Sequence, residues 1–189
     1  MKIKNKKRFF LKTIVTFFGV GTIKVAPGTF GSLASVPFFI IVVGPMLKRF
    51  VAHPFEFFSV LIMIMSTIGY FSSYFYMIDT KNSDDPQEIV IDEVVGQLIT
   101  YFLSTVFTAL IVKYTEIDLV GHRWFLVTVL LILPFLLFRL YDIKKPSLIG
   151  YIDRNLKDAA GVMLDDMVAG VFAAITNGLI VSILVRVFY

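Results

Sequence analysis

Long uncharged runs separated by short charged stretches set the pattern of this chain. Residues 25–47, 57–78, 94–112 and 167–185 contain no Asp, Glu, Lys or Arg. Each run has about the 17–25 residues needed to cross a hydrocarbon core as a helix. A fifth run, 124–138, is shorter. It spans only if Arg139 and His122 or Arg123 snorkel toward the headgroups. The pattern predicts an all-α, polytopic integral membrane protein with about five transmembrane helices, four being the main competitor. Residues 1–189 then form a single membrane-embedded domain. The N-terminal MKIKNKKRFFLK is basic, and the uncharged run behind it, 13–23, is broken by Gly19 and Gly21. No small-residue cleavage signature follows, so a basic arm leading into an interfacial helix fits better than a removed signal peptide.

Composition sharpens this picture. The chain is 57% hydrophobic, above the roughly 45–50% of soluble domains, with a mean hydropathy of +0.82. Cysteine is absent, which removes a disulfide framework, a thiolate metal site and a cysteine nucleophile. With a cytoplasmic N-terminus and five alternating helices, 13 Lys and Arg fall on the cytoplasmic side. The other five, Lys48, Arg49, Lys113, Arg123 and Arg186, fall outside. That asymmetry is the one positive-inside threading predicts. In this threading APGTFGS (26–32), the segment 79–93 and the segment 142–166 share one membrane face.

Four polar clusters lie at that face. In DDPQEIVIDEVVGQ (84–97), Asp84, Asp85 and Glu88 suit a polar turn with Asp85 capping a helix that starts at Pro86. Asp92 and Glu93 sit between apolar residues, where acids are costly unless they meet a cation or a polar cavity. GVMLDDMVAG (161–170) poses the same problem with Asp165 and Asp166. One Asp could cap the last helix, which leaves the second without a role. Both acid pairs are followed by two mostly apolar residues and a small one, Gly96 or Ala169; the small residue admits a neighbouring helix. Carboxylates converging at headgroup depth make a hard-oxygen site suited to Mg²⁺. Asp92, Glu93, Asp165 and Asp166 are therefore the candidate metal groups.

In FRLYDIKKP (138–146), Arg139 and Asp142 share a helix face, as an ion pair or, with Lys144 and Lys145, as part of an anion clamp. APGTFGS offers Gly28 and Gly31 for the turn and the Thr29 and Ser32 hydroxyls at a helix start, with backbone N–H groups that could receive an anion. It lacks the spacing of a P-loop. Thr29, Gly31, Ser32, Arg139, Lys144 and Lys145 are thus the candidate phosphate-binding residues.

In this order, APGTFGS, DDPQEIVIDEVVGQ, RLYDIKKP and GVMLDDMVAG resemble the motifs of the phosphatidylglycerophosphatase A family, across about residues 19 to 175. The resemblance implies a magnesium-dependent lipid phosphatase of the bacterial inner membrane. It would remove the terminal phosphate of phosphatidylglycerophosphate to give phosphatidylglycerol, a step of phospholipid synthesis. The family's acidic motifs map onto Asp92, Glu93, Asp142, Asp165 and Asp166, the candidate catalytic residues. One departure is visible: after Lys145-Pro146 the family usually has an aromatic and a second proline, where this chain has Ser147 and Leu148.

The chemistry of the residues agrees with that implication. Without cysteine, with His53 and His122 on the outer side of the threading, and without an Asp-x-Asp pair, metal-assisted attack by water is the route left open to a phosphomonoester. Arg139 and a lysine would hold the phosphate, and a carboxylate would take the water's proton. Asp142 is either a ligand or the residue that orients Arg139. The expected partners are the lipid substrate and the bilayer, with no nucleic acid, and a site facing the cytoplasm. The rival reading is a small cation or proton transporter lined by the acid pairs, which predicts acids near the bilayer midplane on broken helices.

Overall fold

The computed structural model describes residues 2–43, 53–80, 87–116 and 122–188, and every regular element in them is helical. Lys48, Arg49, Lys81, Asp84, Asp85, Pro86 and the end of the run 25–47 lie outside the described residues. Helix α1 (Lys2–Val15) is followed by a single 3-10 turn (Val20–Thr22), then α2 (Pro27–Phe38), which continues as a wide π turn over Phe39–Val43. Next come α3 (Pro54–Thr80), α4 (Ile91–Thr115), α5 (Arg123–Lys144), the short α6 (Ser147–Asn155) and α7 (Ala159–Phe188). Helices α3, α4, α5 and α7 are long and apolar enough to cross a membrane, and a shorter apolar helix, Pro27–Ile41, stands where the first crossing was predicted.

The shortest run, 124–138, lies in a full-length helix. Arg123–Lys144 has 22 residues, about 33 Å at 1.5 Å each, enough for a core of about 30 Å. The extra length is the polar end carrying Arg139 and Asp142. These pair with each other and point inward, so neither has to snorkel. Pro134 lacks the N–H that Leu130 would need, and the π turn Thr128–Ile132 lies just before it. Next to that break, Asn177 of α7 donates Nδ2–H to the Val129 carbonyl at 3.0 Å.

Packing centres on α4 and α7, which share the most extensive contact in the molecule. Glycines make it possible. A Cβ added to Gly96 would lie 2.6 Å from the Asp166 carbonyl oxygen and 2.7 Å from Phe138 Cε2. One added to Gly170 would overlap the Gly96 carbonyl oxygen, and Thr100 Oγ1 donates across the crossing to the Gly170 carbonyl at 3.3 Å. The small residue on α7 is therefore Gly170, one position beyond the Ala169 of the sequence pattern. Ala169 is buried with Phe138 and Ala173 instead.

Helix α1 turns Leu11 and Val15 into the core and leaves Phe9 and Phe10 exposed, the division expected of a helix lying along an interface. Arg8 approaches Asp79 at 3.9 Å, and Lys12 pairs with Glu88 at 2.7 Å. Glu88 also accepts from the Tyr76 hydroxyl. Burial raises the Glu88 carboxyl, but the Lys12 and Tyr76 hydrogen bonds outweigh it and hold the group below its ordinary value. The Val90 N–H donates to the Val15 carbonyl at 2.8 Å. The basic arm is thus fastened to the segment that leads into α4.

Candidate metal and phosphate site

Asp92 and Glu93 lie in the first turn of α4. Asp166 lies in the second turn of α7, brought opposite by the Gly96 crossing. Each of the three offers a carboxylate oxygen, and these atoms lie within 4.8 Å of one another. Asp92 and Asp166 are buried, and Glu93 is half-buried. Glu93 Oε2 is buried with no hydrogen-bond partner among the described residues. A few hard carboxylate oxygens so close, on residues that include a Glu93 with a buried unpaired oxygen, fit Mg²⁺, whose remaining positions go to water and phosphate oxygens. Asp142, near the end of α5, is an electrostatic neighbour of both Glu93 and Asp166.

Beside the carboxylates stands Arg139. Its Nη1 donates to Ser32 Oγ at 3.2 Å and to Asp142 Oδ2, and its Nη2 donates to Thr29 Oγ1 at 3.0 Å. Arg139 Nε is buried and unpartnered among the described residues. Asp142 therefore orients the guanidinium while remaining close to the carboxylate cluster. The start of α2 completes the cradle. Gly28 is so close that an added Cβ would overlap Glu93 Oε1 and lie 3.6 Å from Arg139 Nη1.

The remaining candidates divide. Gly31 is buried against Val90, where an added Cβ would lie 2.8 Å from the Val90 Cβ, so it allows α2 to pack on the start of α4. Lys144 is exposed at the end of α5. Lys145 donates to Asp165 Oδ2 at 2.6 Å and to Asp153 Oδ1 at 2.7 Å. Asp165 thus faces α6 and Lys145, while its neighbour Asp166 joins Asp92 and Glu93. Burial works against the Lys145 ammonium, but its two carboxylate partners outweigh it and raise its pKa above the ordinary lysine value. Lys145 in turn holds the Asp153 carboxyl below the usual range. The backbone is left-handed at both Lys145 and Ser147, on either side of Pro146. The turn that departs from the family pattern is therefore a sharp one, closed by the Lys145 pairs.

Neither Asp165 nor Asp166 caps α7. That role falls to Asp158, whose Oδ1 accepts from the Gly161 N–H at 3.0 Å. Asp153 and Gln97 were not singled out by sequence. Asp153 lies eight residues from its lysine, across a turn whose path the sequence does not specify. Gln97 was quoted within the first acidic motif, where its position in an otherwise apolar run was the available signal. Asp92, Glu93, Asp142, Asp165 and Asp166 lie toward the helix ends where α2, α4, α5 and α7 meet, whereas a transport path predicts acids near the midplane.

The family described as Phosphatidylglycerophosphatase A matches residues 13–181. A protein of Escherichia coli named Phosphatidylglycerophosphatase A is 32% identical over 83% of this chain and 75% of its own length. Its namesake from Haemophilus influenzae is 32% identical over 84% of this chain and 80% of its own. A Bacteroides thetaiotaomicron protein named Putative phosphatidylinositol-3-phosphatase is 29% identical over 90% of this chain and 93% of its own. No solved structure matches.

Proposed function

This chain belongs to the phosphatidylglycerophosphatase A family, and from that premise we propose that it is a magnesium-dependent lipid phosphatase of the bacterial inner membrane. Members of the family are phosphoric monoester hydrolases. The chain releases inorganic phosphate from phosphatidylglycerophosphate and leaves phosphatidylglycerol, as a step in phospholipid synthesis on the cytoplasmic face. The observation that carries the reading is the meeting, across Gly28, of a three-carboxylate cluster with a guanidinium held by Thr29, Ser32 and Asp142.

Asp92, Glu93 and Asp166 would hold Mg²⁺, with Asp142 near, while Asp165 is engaged by Lys145. The bound ion supplies Lewis-acid polarisation of the phosphoryl oxygens and neutralises developing charge. Arg139 receives the phosphate with the Nη2 N–H that its partners leave free and with its charge, and Thr29 and Ser32 keep the guanidinium from turning. Water attacks phosphorus, forming one P–O bond as the bond to the glycerol oxygen breaks. A carboxylate of the cluster takes the water's proton and returns it to the departing glycerol oxygen. The substrate's acyl chains remain in the bilayer throughout. The exposed Lys144 and the basic arm attract anionic lipid, each charge contributing about 1 kcal/mol near the surface.

The test is phosphate release by the purified protein in detergent. Phosphatidylglycerophosphate and phosphatidylinositol 3-phosphate are offered separately, with Mg²⁺ and with a chelator. Release from the first lipid that stops with chelator supports the reading. Equal turnover in chelator refutes the metal, and release from the inositol lipid alone refutes the substrate. Asp166→Asn, which disarms the cluster without touching Lys145, is expected to lower kcat by about a hundredfold or more.

A further inference from the structure

Gln97 is fully buried on α4, and neither its Nε2 nor its Oε1 has a hydrogen-bond partner among the described residues. An unpaired amide in an apolar interior is costly, and such a group calls for an explanation. It lies one helical turn inward of Glu93, on the same face of α4. Two other orphan atoms belong to the residues that flank Gly28. Glu93 Oε2 is a buried acceptor without a donor, and Arg139 Nε is a buried donor without an acceptor. Helices α4 and α5 touch at this level, because a Cβ on Gly96, the residue before Gln97, would lie 2.7 Å from Phe138, the residue before Arg139. Glu93 and Arg139 already flank the same point of α2, Gly28. The orphans are chemically complementary, since an amide offers one donor group and one acceptor.

We propose that the Gln97 carboxamide bridges Glu93 and Arg139 through buried water, Nε2 donating toward Glu93 Oε2 and Oε1 accepting on the side of Arg139 Nε. Gln97 is then a positioning residue. It fixes the carboxylate cluster relative to the guanidinium, so that a phosphoryl group held by one is correctly presented to the other. The metal half of this inference rests on the function proposed above; the Arg139 half does not need a metal.

The decisive variant is Gln97→Met, close in size and unbranched. Removing polar atoms that truly lack partners leaves a protein as stable as before or more so. A Gln97 without a role would therefore give a variant that melts no lower than wild type and works normally. Under the proposal Gln97→Met stays folded by circular dichroism while kcat falls about ten- to a hundredfold and KM changes little. Mn²⁺, followed by electron paramagnetic resonance, binds about tenfold more weakly. Gln97→Asn, with its amide set back by one methylene, falls between the two, and decides the matter if the methionine variant does not fold. Values of kcat and Mn²⁺ affinity within about twofold of wild type overturn the bridge, given the ten- to hundredfold cost of losing such a support. A wild-type protein that binds no Mn²⁺ and turns over in chelator fails the metal reading separately. Gln97 is then judged on kcat alone.

Discussion

Replacing Gly28 with alanine separates the site from the fold. Gly28 follows Pro27 at the start of α2, and its φ is not positive, so alanine suits the backbone. In a helix interior that exchange gains up to about 1 kcal/mol, and less near an end. The new methyl, however, would overlap Glu93 Oε1 and lie 3.6 Å from Arg139 Nη1, whereas ordinary contact begins near 3.4 Å. The Glu93 side chain can yield, and its carboxylate must retreat by about 1 Å or more. Displacements of about that size cost roughly a hundredfold in rate, or about 2.7 kcal/mol on the barrier. Phosphate release from phosphatidylglycerophosphate is therefore expected to fall about a hundredfold, while the melting temperature in detergent stays level or rises slightly. A Gly28→Ala protein with wild-type kcat would refute the placement of Glu93 against α2, and with it the cradle.

Two further outcomes follow from the packing and the charges. Gly96→Ala drives a methyl into the Asp166 carbonyl and the Phe138 ring, neither of which is a free end, so it is expected to destabilise by about 1–3 kcal/mol and lower the melting temperature along with activity. An unchanged melting curve would contradict the close crossing. The Lys145 turn gives a pH dependence of stability. Asp153 is held below its ordinary value, so its contribution is present above the unfolded carboxyl pKa of about 3.9 and is lost as pH falls through the folded value. Lys145 is raised, so its contribution is full below about 10.4 and is lost as pH rises through its folded value. Thermal melts should be flat across neutral pH and fall at both extremes. Lys145→Met should weaken both limbs, and identical pH curves for the two proteins would show that the turn carries no such linkage.

Much of the site was legible because membrane burial makes acids conspicuous. Asp92, Glu93 and Asp166 stand out in apolar runs, and no lipid-facing position would retain them without a compensating cation or partner. Arg139 with Asp142 was legible from helical spacing, and the convergence of the motifs on one face from the distribution of Lys and Arg. The division between Asp165 and Asp166 was not. Adjacent residues on a helix point about 100° apart, so only one of the pair can face α4, and the choice depends on where the turn after α5 places Lys145. The length of α5 was also hidden, because a hydropathy window counts Arg139 and Asp142 as polar residues without knowing that they pair inward.

The sequence by itself determined the helical membrane class, the end at which chemistry gathers and the kinds of group gathered there. These depend on local free energies: the cost of charge in hydrocarbon and the periodicity of a helix. Tertiary structure alone decided which carboxylates share a site, that Thr29 and Ser32 grip Arg139, and that Gly28, Gly96 and Gly170 set how closely the helices approach. Those contacts join residues far apart in the chain. Their geometry comes from how helix surfaces fit together, and a pattern of polar and apolar positions does not encode that fit.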